Sequence, residues 1–315
     1  MKKNVLSRFS IFLRGMAMGI ADIIPGVSGG TIAIITGIYE EFLSTLNKID
    51  FMIFRLLFKG KFQKIWKNYN LSFLLSLLLG IFTSILIFTN YITYLIKNHP
   101  IALWAFFFGL IFSSIFFLLK QIKNWNFKNS KFVFATKVSL LVFGFLAAIY
   151  VQMLNPGKAE IDHVYLFICG MISITAMLLP GISGAYILIL LGAYETMLDT
   201  LKEVIKLNTD YFLNFFSFII GAIISIKLFS KFLTWGYNKH KDNTLSCLIG
   251  FMIGSLPVLW PWKTDTVSKD FLSNLYLPPL HSKNSTFIEG IIFIILGIAV
   301  VLILEYLSKK NAKKK

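Results

Sequence analysis

Six uninterrupted apolar runs, set off by short polar clusters, dominate the pattern along the chain. They cover residues 71–96, 101–119, 132–154, 211–235, 245–260 and 287–307. Each comes within a few residues of the roughly 20 that a helix rising about 1.5 Å per residue needs to cross a hydrocarbon core. The pattern therefore predicts six membrane-spanning helices, the fifth being the shortest. Two further apolar stretches, 9–46 and 164–201, are interrupted centrally by Pro-Gly and other small residues. Proline removes a helix donor and glycine weakens the turn, so each predicts a broken helical hairpin in place of one continuous helix.

The two broken stretches are copies of one another. A shift of 155 residues superposes Gly15-Met16 on Gly170-Met171, Ala21 on Ala176 and Pro25-Gly26 on Pro180-Gly181. The same shift brings Ser28-Gly29 onto Ser183-Gly184, Gly37 onto Gly192 and Tyr39-Glu40 onto Tyr194-Glu195, without a gap. A weaker echo continues at an offset of 141, where Gly80 meets Gly221, Ser84-Ile85 meets Ser225-Ile226, His99 meets His240, Gly109 meets Gly250 and Ser114 meets Ser255. The expected fold is an all-α polytopic membrane protein made of two repeats, 1–157 and 158–315, each a hairpin followed by three spans. A hairpin that enters and leaves by one face adds no crossing, while three spans reverse the face, so the repeats should be inverted. From Gly15 to Ile24 is ten residues, about 15 Å or half a hydrocarbon core, which favours a re-entrant hairpin. A tilted 9–24 segment would nearly span; either version leaves the topology unchanged.

Charge gives an independent check. The chain has 31 Lys+Arg against 15 Asp+Glu, a formal charge of +16, within a composition that is 56% hydrophobic and only 15% charged. The basic residues do not form one solvated face, which argues against a nucleic-acid partner. Lys2, Lys3 and Arg8, the loop with Lys48, Arg55, Lys59, Lys61, Lys64 and Lys67, the loop with Lys120, Lys123, Lys128 and Lys131, the segment with Lys231, Lys239 and Lys241, and the C-terminal lysines all fall on one side by the crossing count. That side, with both termini, is expected to be cytoplasmic. The start of the chain resembles a signal peptide, but Arg8 and Arg14 interrupt its apolar region and no small-x-small site follows, so it is expected to be retained.

The chemistry concentrates in the two breaks. Pro25-Gly26-Val27-Ser28-Gly29-Gly30-Thr31 and Pro180-Gly181-Ile182-Ser183-Gly184-Ala185-Tyr186 each run into an apolar helical stretch. Irregular backbone at membrane depth must be buried in protein or line a wet cavity. Glycines allow close backbone approach, and Ser28 or Thr31 can cap the following helix while its free N–H groups face the break. Helix N-termini and exposed amides favour phosphate or carboxylate. A tight tip packed through small residues is the plain alternative for one copy; two copies facing one another favour a cavity. The expected substrate-binding residues are Arg14, Pro25, Gly26, Ser28, Gly29, Gly30, Thr31, Pro180, Gly181, Ser183, Gly184 and Tyr186.

Ionisable groups at membrane depth cost about 2.5 to 3.5 kcal/mol on insertion scales and are functional candidates for that reason. Asp22, Glu40 and Glu195 are the candidates for ion or proton coupling. Asp22, whose counterpart is Met177, reads equally as a proton carrier or as a cap on the broken backbone. Arg14 reads equally as a phosphate-binding fork or as an interfacial snorkelling side chain. Lys137 and Lys227 read as snorkelling lysines. His99, His163, His240 and His281 are placed in loops, Cys169 and Cys247 in apolar stretches, and no metalloprotease, phosphatase or P-loop pattern occurs. No enzyme activity, metal or cofactor is expected.

Ala21-Asp22-Ile23-Ile24-Pro25-Gly26-Val27-Ser28-Gly29-Gly30-Thr31, with Gly37-Ile38-Tyr39-Glu40 and the second Pro180-Gly181-Ile182-Ser183-Gly184, resembles a bacterial membrane family linked to polyprenyl-phosphate transport. The resemblance runs over essentially the whole chain. It implies translocation of undecaprenyl phosphate, the lipid carrier of cell-wall glycan precursors, from the outer to the inner leaflet of the cytoplasmic membrane for reuse. The second copy departs from the first by having Ala185-Tyr186 in place of Gly30-Thr31, so the two half-sites need not contact a headgroup equivalently. A transporter of a small soluble anion would use the same tips; a non-transporting membrane scaffold would tolerate polar substitutions in both.

Overall fold

A computed structural model describes residues 7–24, 26–50, 52–123, 131–154, 161–263 and 286–313, except for the side chains of residues 54 and 307–313. Pro25, Lys2, Lys3, Lys128 and His281 lie outside the described residues. Among these residues the chain is helical throughout: α1 (Arg8–Ile23), α2 (Gly29–Ile35), α3 (Tyr39–Lys48), α4 (Met52–Phe58), α5 (Phe62–Asn68), α6 (Leu71–Asn98), α7 (Pro100–Leu119), α8 (Lys131–Met153), α9 (His163–Leu178), α10 (Gly184–Leu190), α11 (Tyr194–Ile205), α12 (Phe212–Lys239), α13 (Lys241–Ser255) and α14 (Thr286–Lys313). Six stretches are long and apolar enough to cross a membrane: Leu71–Asn98, Pro100–Leu119, Lys131–Met153, Thr209–Lys239, Lys241–Leu259 and Thr286–Tyr306. They match the six predicted spans to within a few residues, and the fifth is the shortest at 19 residues. The chain is a polytopic all-helical membrane protein.

Both hairpins are broken where Pro-Gly predicts, and broken again where it does not. The arm after each tip is a helix of only seven residues, α2 or α10, about 10 Å long. It ends at Gly37 (φ +75°) or Gly192 (φ +69°), a conformation open to glycine at little cost. The Ile38 amide donates to the Ala33 carbonyl (2.9 Å) and that of Gly37 to Ile34 (3.0 Å); Ala193 donates to Leu188 (3.0 Å) and Gly192 to Ile189 (2.9 Å). These paired bonds form the same glycine-dependent helix stop in both copies. Beyond it the chain swings through 111° between α10 and α11.

Two compact units form, Met1–Thr89 with Pro156–Asn238, and Asn90–Asn155 with Lys239–Lys315. Each draws on both halves of the chain. In the first unit, α1 meets α6 through Gly15 and Gly80, and α9 meets α12 through Gly170 and Gly221; a Cβ at any of these positions would strike the facing helix backbone. Small residues allow such approach where lipid supplies no hydrophobic drive between helices. The offset-related serines follow the same logic, Ser225 hydrogen-bonding Thr175 across α9 and α12 (2.7 Å). In the second unit, α7 packs on α14 through Gly109 and Gly297, and α8 on α13 through Gly144 and Gly250.

Three expectations need correction. Lys137 does not snorkel: it is 3% exposed, pairs with Asp242 at 2.9 Å and donates to the Lys123 carbonyl, because a buried ammonium needs a counter-charge and further acceptors. Lys227 donates to the carbonyls of Asn47 and, at 2.8 Å, Ile49, closing the carbonyl end of α3. His163 opens α9 and sits within the helix, hydrogen-bonding Asn214 (2.6 Å).

Candidate functional site

The two tips meet one another inside the first unit. At the first tip the Val27 amide closes a turn onto the Ile24 carbonyl (3.1 Å), with Gly26 at φ +83°. Ser28 then caps α2, its Oγ accepting from the Gly30 amide at 3.1 Å. Asp22, one turn before the break on α1, reaches over and accepts the Gly29 amide on Oδ1 at 2.7 Å. A Cβ on Gly29 would collide with that carboxylate and force it to shift. The amides expected to be free at the start of α2 are therefore already taken, by a carboxylate and a hydroxyl of the protein.

Ser28 also turns outward, its Oγ lying 3.3 Å from both the Met177 and the Leu179 carbonyl. Tyr39 donates to the carbonyl between them, Leu178, at 2.6 Å. These are the carbonyls that the end of α9 leaves without intrahelical partners. In return the Gly181 amide, at φ +85°, donates to Thr31 Oγ1 at 2.9 Å. Ser28 and Thr31 are buried, as are Gly26, Gly29, Gly30, Pro180, Gly181 and Ser183; Gly184 and Tyr186 are partly exposed. Ser183 caps α10 through a longer contact with the Tyr186 amide, 3.5 Å. Ser28, Gly30 and Thr31 of the first copy thus meet the 177–181 segment of the second at one buried junction.

Arg14 lies elsewhere, one helix length away from the tip. Its Nη1 donates to the Thr36 carbonyl at 2.7 Å, at the carbonyl end of α2. The offset-related carbonyl, Leu191, is held by the Tyr165 hydroxyl at 2.7 Å. One helix stop is thus closed by a cation and its copy by a neutral phenol, and Glu41, which accepts from Asn70 at 2.9 Å, is the carboxylate whose field acts on Arg14. Glu40 and Glu195 are exposed in the first turns of α3 and α11, where a carboxylate complements the helix N-terminus. Asp22 is different: its Oδ2 is buried and has no hydrogen-bond partner among the described residues.

The sequence passed over Tyr39, Tyr165 and Glu41 as site-building residues. Tyr39 had a signal in the repeated Tyr-Glu pair; its ring packs on Tyr237, centroids 5.8 Å apart. Tyr165 and Glu41 had none, because neither has a counterpart of its own type in the other copy. No group of three or more potential metal ligands occurs among the described residues.

Spans, broken hairpins and a polar junction of backbone amides and hydroxyls at their tips define a multi-pass membrane protein in which two related segments meet at a buried junction. The chain belongs to the VCA0040-like family, described as undecaprenyl phosphate translocase-like, whose family model matches residues 18–274. It is 34% identical to a polyprenyl-phosphate transporter of Vibrio cholerae serotype O1 over 323 residues, covering 98% of this chain and 100% of that one. It is 31% identical to a polyprenyl-phosphate transporter of Staphylococcus aureus over 275 residues, covering 83% and 89% of the two chains. No solved structure matches the chain.

Proposed function

We propose that this protein translocates undecaprenyl phosphate or a closely related polyprenyl phosphate across the cytoplasmic membrane, returning the carrier for reuse in cell-wall glycan synthesis. Kinship with named polyprenyl-phosphate transporters over nearly the full length supports the substrate class. The two halves act as inverted repeats, 1–157 and 158–315, with re-entrant hairpins and both termini cytoplasmic. A seven-residue second arm, too short to cross, supports the re-entrant reading. The isoprenoid tail stays in lipid while the charged head crosses through the junction of the tips, Arg14 acting from the carbonyl end of α2.

The observation that carries the mechanism is Asp22 on the Gly29 amide. That carboxylate occupies the position a phosphate oxygen would take at the start of α2, so headgroup and Asp22 compete for one donor. Two anions do not share such a place at membrane depth. Protonation of Asp22, for which the unpartnered Oδ2 offers a seat, removes the competitor's charge and admits the headgroup; release of the proton expels it. Loading also separates Ser28 and Thr31 from the second tip, which couples binding to movement of one repeat against the other. Glu40 and Glu195 serve as secondary proton sites.

The test is leaflet exchange of undecaprenyl phosphate in proteoliposomes. Asp22→Asn, Ser28→Ala and Arg14→Ala are each expected to change the rate at least several-fold. Parental rates in all three remove the site assignment. Inorganic phosphate that competes as well as the lipid phosphate would instead identify a soluble-anion transporter.

A further inference from the structure

The offset between the two copies falls from 155 before the hairpins end to 141 afterwards, so the first copy carries about fourteen residues that the second lacks. The structure fills this interval with α4 and α5, where the second copy has only a single 3-10 turn, Thr209–Tyr211. The extra piece is not needed to build the repeat. Its composition is one-sided: between residues 52 and 68 stand Arg55, Lys59, Lys61, Lys64 and Lys67 and no acidic residue. All five cations are exposed, and so are Met52, Leu57, Phe58, Phe62 and Trp66, Phe58 to 92%.

The piece is held as a unit. Asp50 Oδ1 accepts from the Met52 amide at 3.1 Å and from the Tyr69 hydroxyl at 2.7 Å, clasping the chain before α4 to the chain after α5. Ile65 and Tyr69 are its buried anchors. On α5, Phe62 and Trp66 are four residues apart and share a face, while Lys64 and Lys67 fall on the other. Arg8, at the start of α1, adds a cation 6.0 Å from the Trp66 ring. Each helix is seven residues long, too short to cross, and α6, a span, begins at Leu71. A short, basic, aromatic-bearing helix pair beside the end of a span has the make-up of an element that lies in a bilayer interface, apolar side chains down and cations among headgroups.

We infer that α4 and α5 form an interfacial lipid-binding hairpin, and that its occupant is the surface of anionic phospholipid in the leaflet on the lysine-rich side. Charge complementarity selects that occupant: five cations without a carboxylate discriminate anionic from zwitterionic headgroups, and the exposed rings have acyl chain to enter. The inference rests on membrane embedding and not on the transport reading, so either can fail alone.

The full chain, reconstituted in nanodiscs of phosphatidylcholine with or without one quarter phosphatidylglycerol, tests it. Nitroxide labels at Phe58→Cys and Phe62→Cys are expected to be several-fold more accessible to oxygen than to an aqueous nickel chelate, and a label at Lys64→Cys the reverse. Phosphatidylglycerol should deepen the first two, and Lys59, Lys61, Lys64 and Lys67 all changed to Gln should abolish that response. Quenching of Trp66 by brominated phosphatidylglycerol, read as the difference between the parent and Trp66→Phe, gives the same answer without labels. Equal aqueous access at all three positions, or quenching indifferent to headgroup charge, overturns the inference.

Discussion

At the scale of single residues, Asp22 combines two properties that seldom coincide: one oxygen holds a helix amide and the other is buried with no hydrogen-bond partner among the described residues. Asparagine keeps the first, since its carbonyl oxygen can accept the Gly29 amide, and removes the ionisable group. Asp22→Asn should therefore leave the fold intact. If the carboxylate competes with the headgroup, the variant binds lipid phosphate several-fold more tightly, and its exchange rate in proteoliposomes lacks the dependence on a pH gradient expected of the parent. A structural cap without a coupling role predicts unchanged pH dependence. Arg14 admits a similar separation. Tyr165 shows that a neutral donor suffices to close the equivalent helix stop, so Arg14→Gln, which can still donate to the Thr36 carbonyl, should fold. It should lose at least about tenfold in exchange rate, on the scale of one charge-assisted contact to phosphate.

At the scale of elements, helix contacts through glycine explain why the repeat is visible at all. Gly80→Ala places a methyl against the backbone of α1 and should cost about 1–3 kcal/mol, as overpacking does. Gly37→Ala meets no atom within 4 Å, so its cost is limited to the strained positive φ, about 1 kcal/mol. Thermal unfolding in detergent should rank the two in that order. The clasp of α4 and α5 makes a further prediction. The hydrogen bond to Asp50 pushes the Tyr69 phenol up to about 12 from 10.0. A raised value means that the clasp contributes fully below pH 10 and is lost only as pH rises through about 12. Tyr69→Phe should then cost about 1 kcal/mol, equally at pH 7 and pH 9. The spans were legible because hydropathy dictates them, and the tips because Pro-Gly-x-Ser-Gly cannot continue a helix. The second break at Gly37 and Gly192 was also present in the repeat alignment, but a lone glycine within a largely apolar stretch does not announce a helix stop. The cross-copy bonds of Ser28, Thr31 and Tyr39 were illegible, since they join positions about 150 residues apart through backbone carbonyls and an amide that carry no sequence signature. The buried Lys137–Asp242 pair was misread for a related reason: a lysine near a span end looks the same whether it snorkels or finds a partner 105 positions away.

At the scale of the whole molecule, the proposed function depends on inversion. Both hairpins reach one junction, but with different segments: Ser28 and Tyr39 of the first take three successive carbonyls at the end of α9, Met177, Leu178 and Leu179, while the second returns the Gly181 amide to Thr31. Two segments inserted from the same face would run alongside one another and expose both to one leaflet at once. Insertion from opposite faces lets separation on either side open the junction to one leaflet while the other stays shut, which is what moving a headgroup without a continuous leak requires. The lysine distribution fixes the expected faces. Cysteines introduced singly at Asn98, His163 and Lys206 should react in intact cells with a membrane-impermeant maleimide. Those at Lys48, Lys123 and Lys239 should react only after permeabilisation. Cys169 is buried and Cys247 partly so, which keeps the background low. Labelling of Lys48 and Lys206 from one side would put both hairpins on the same face; alternating exposure of the shared junction would then have no structural basis, even for a protein that carries the same lipid.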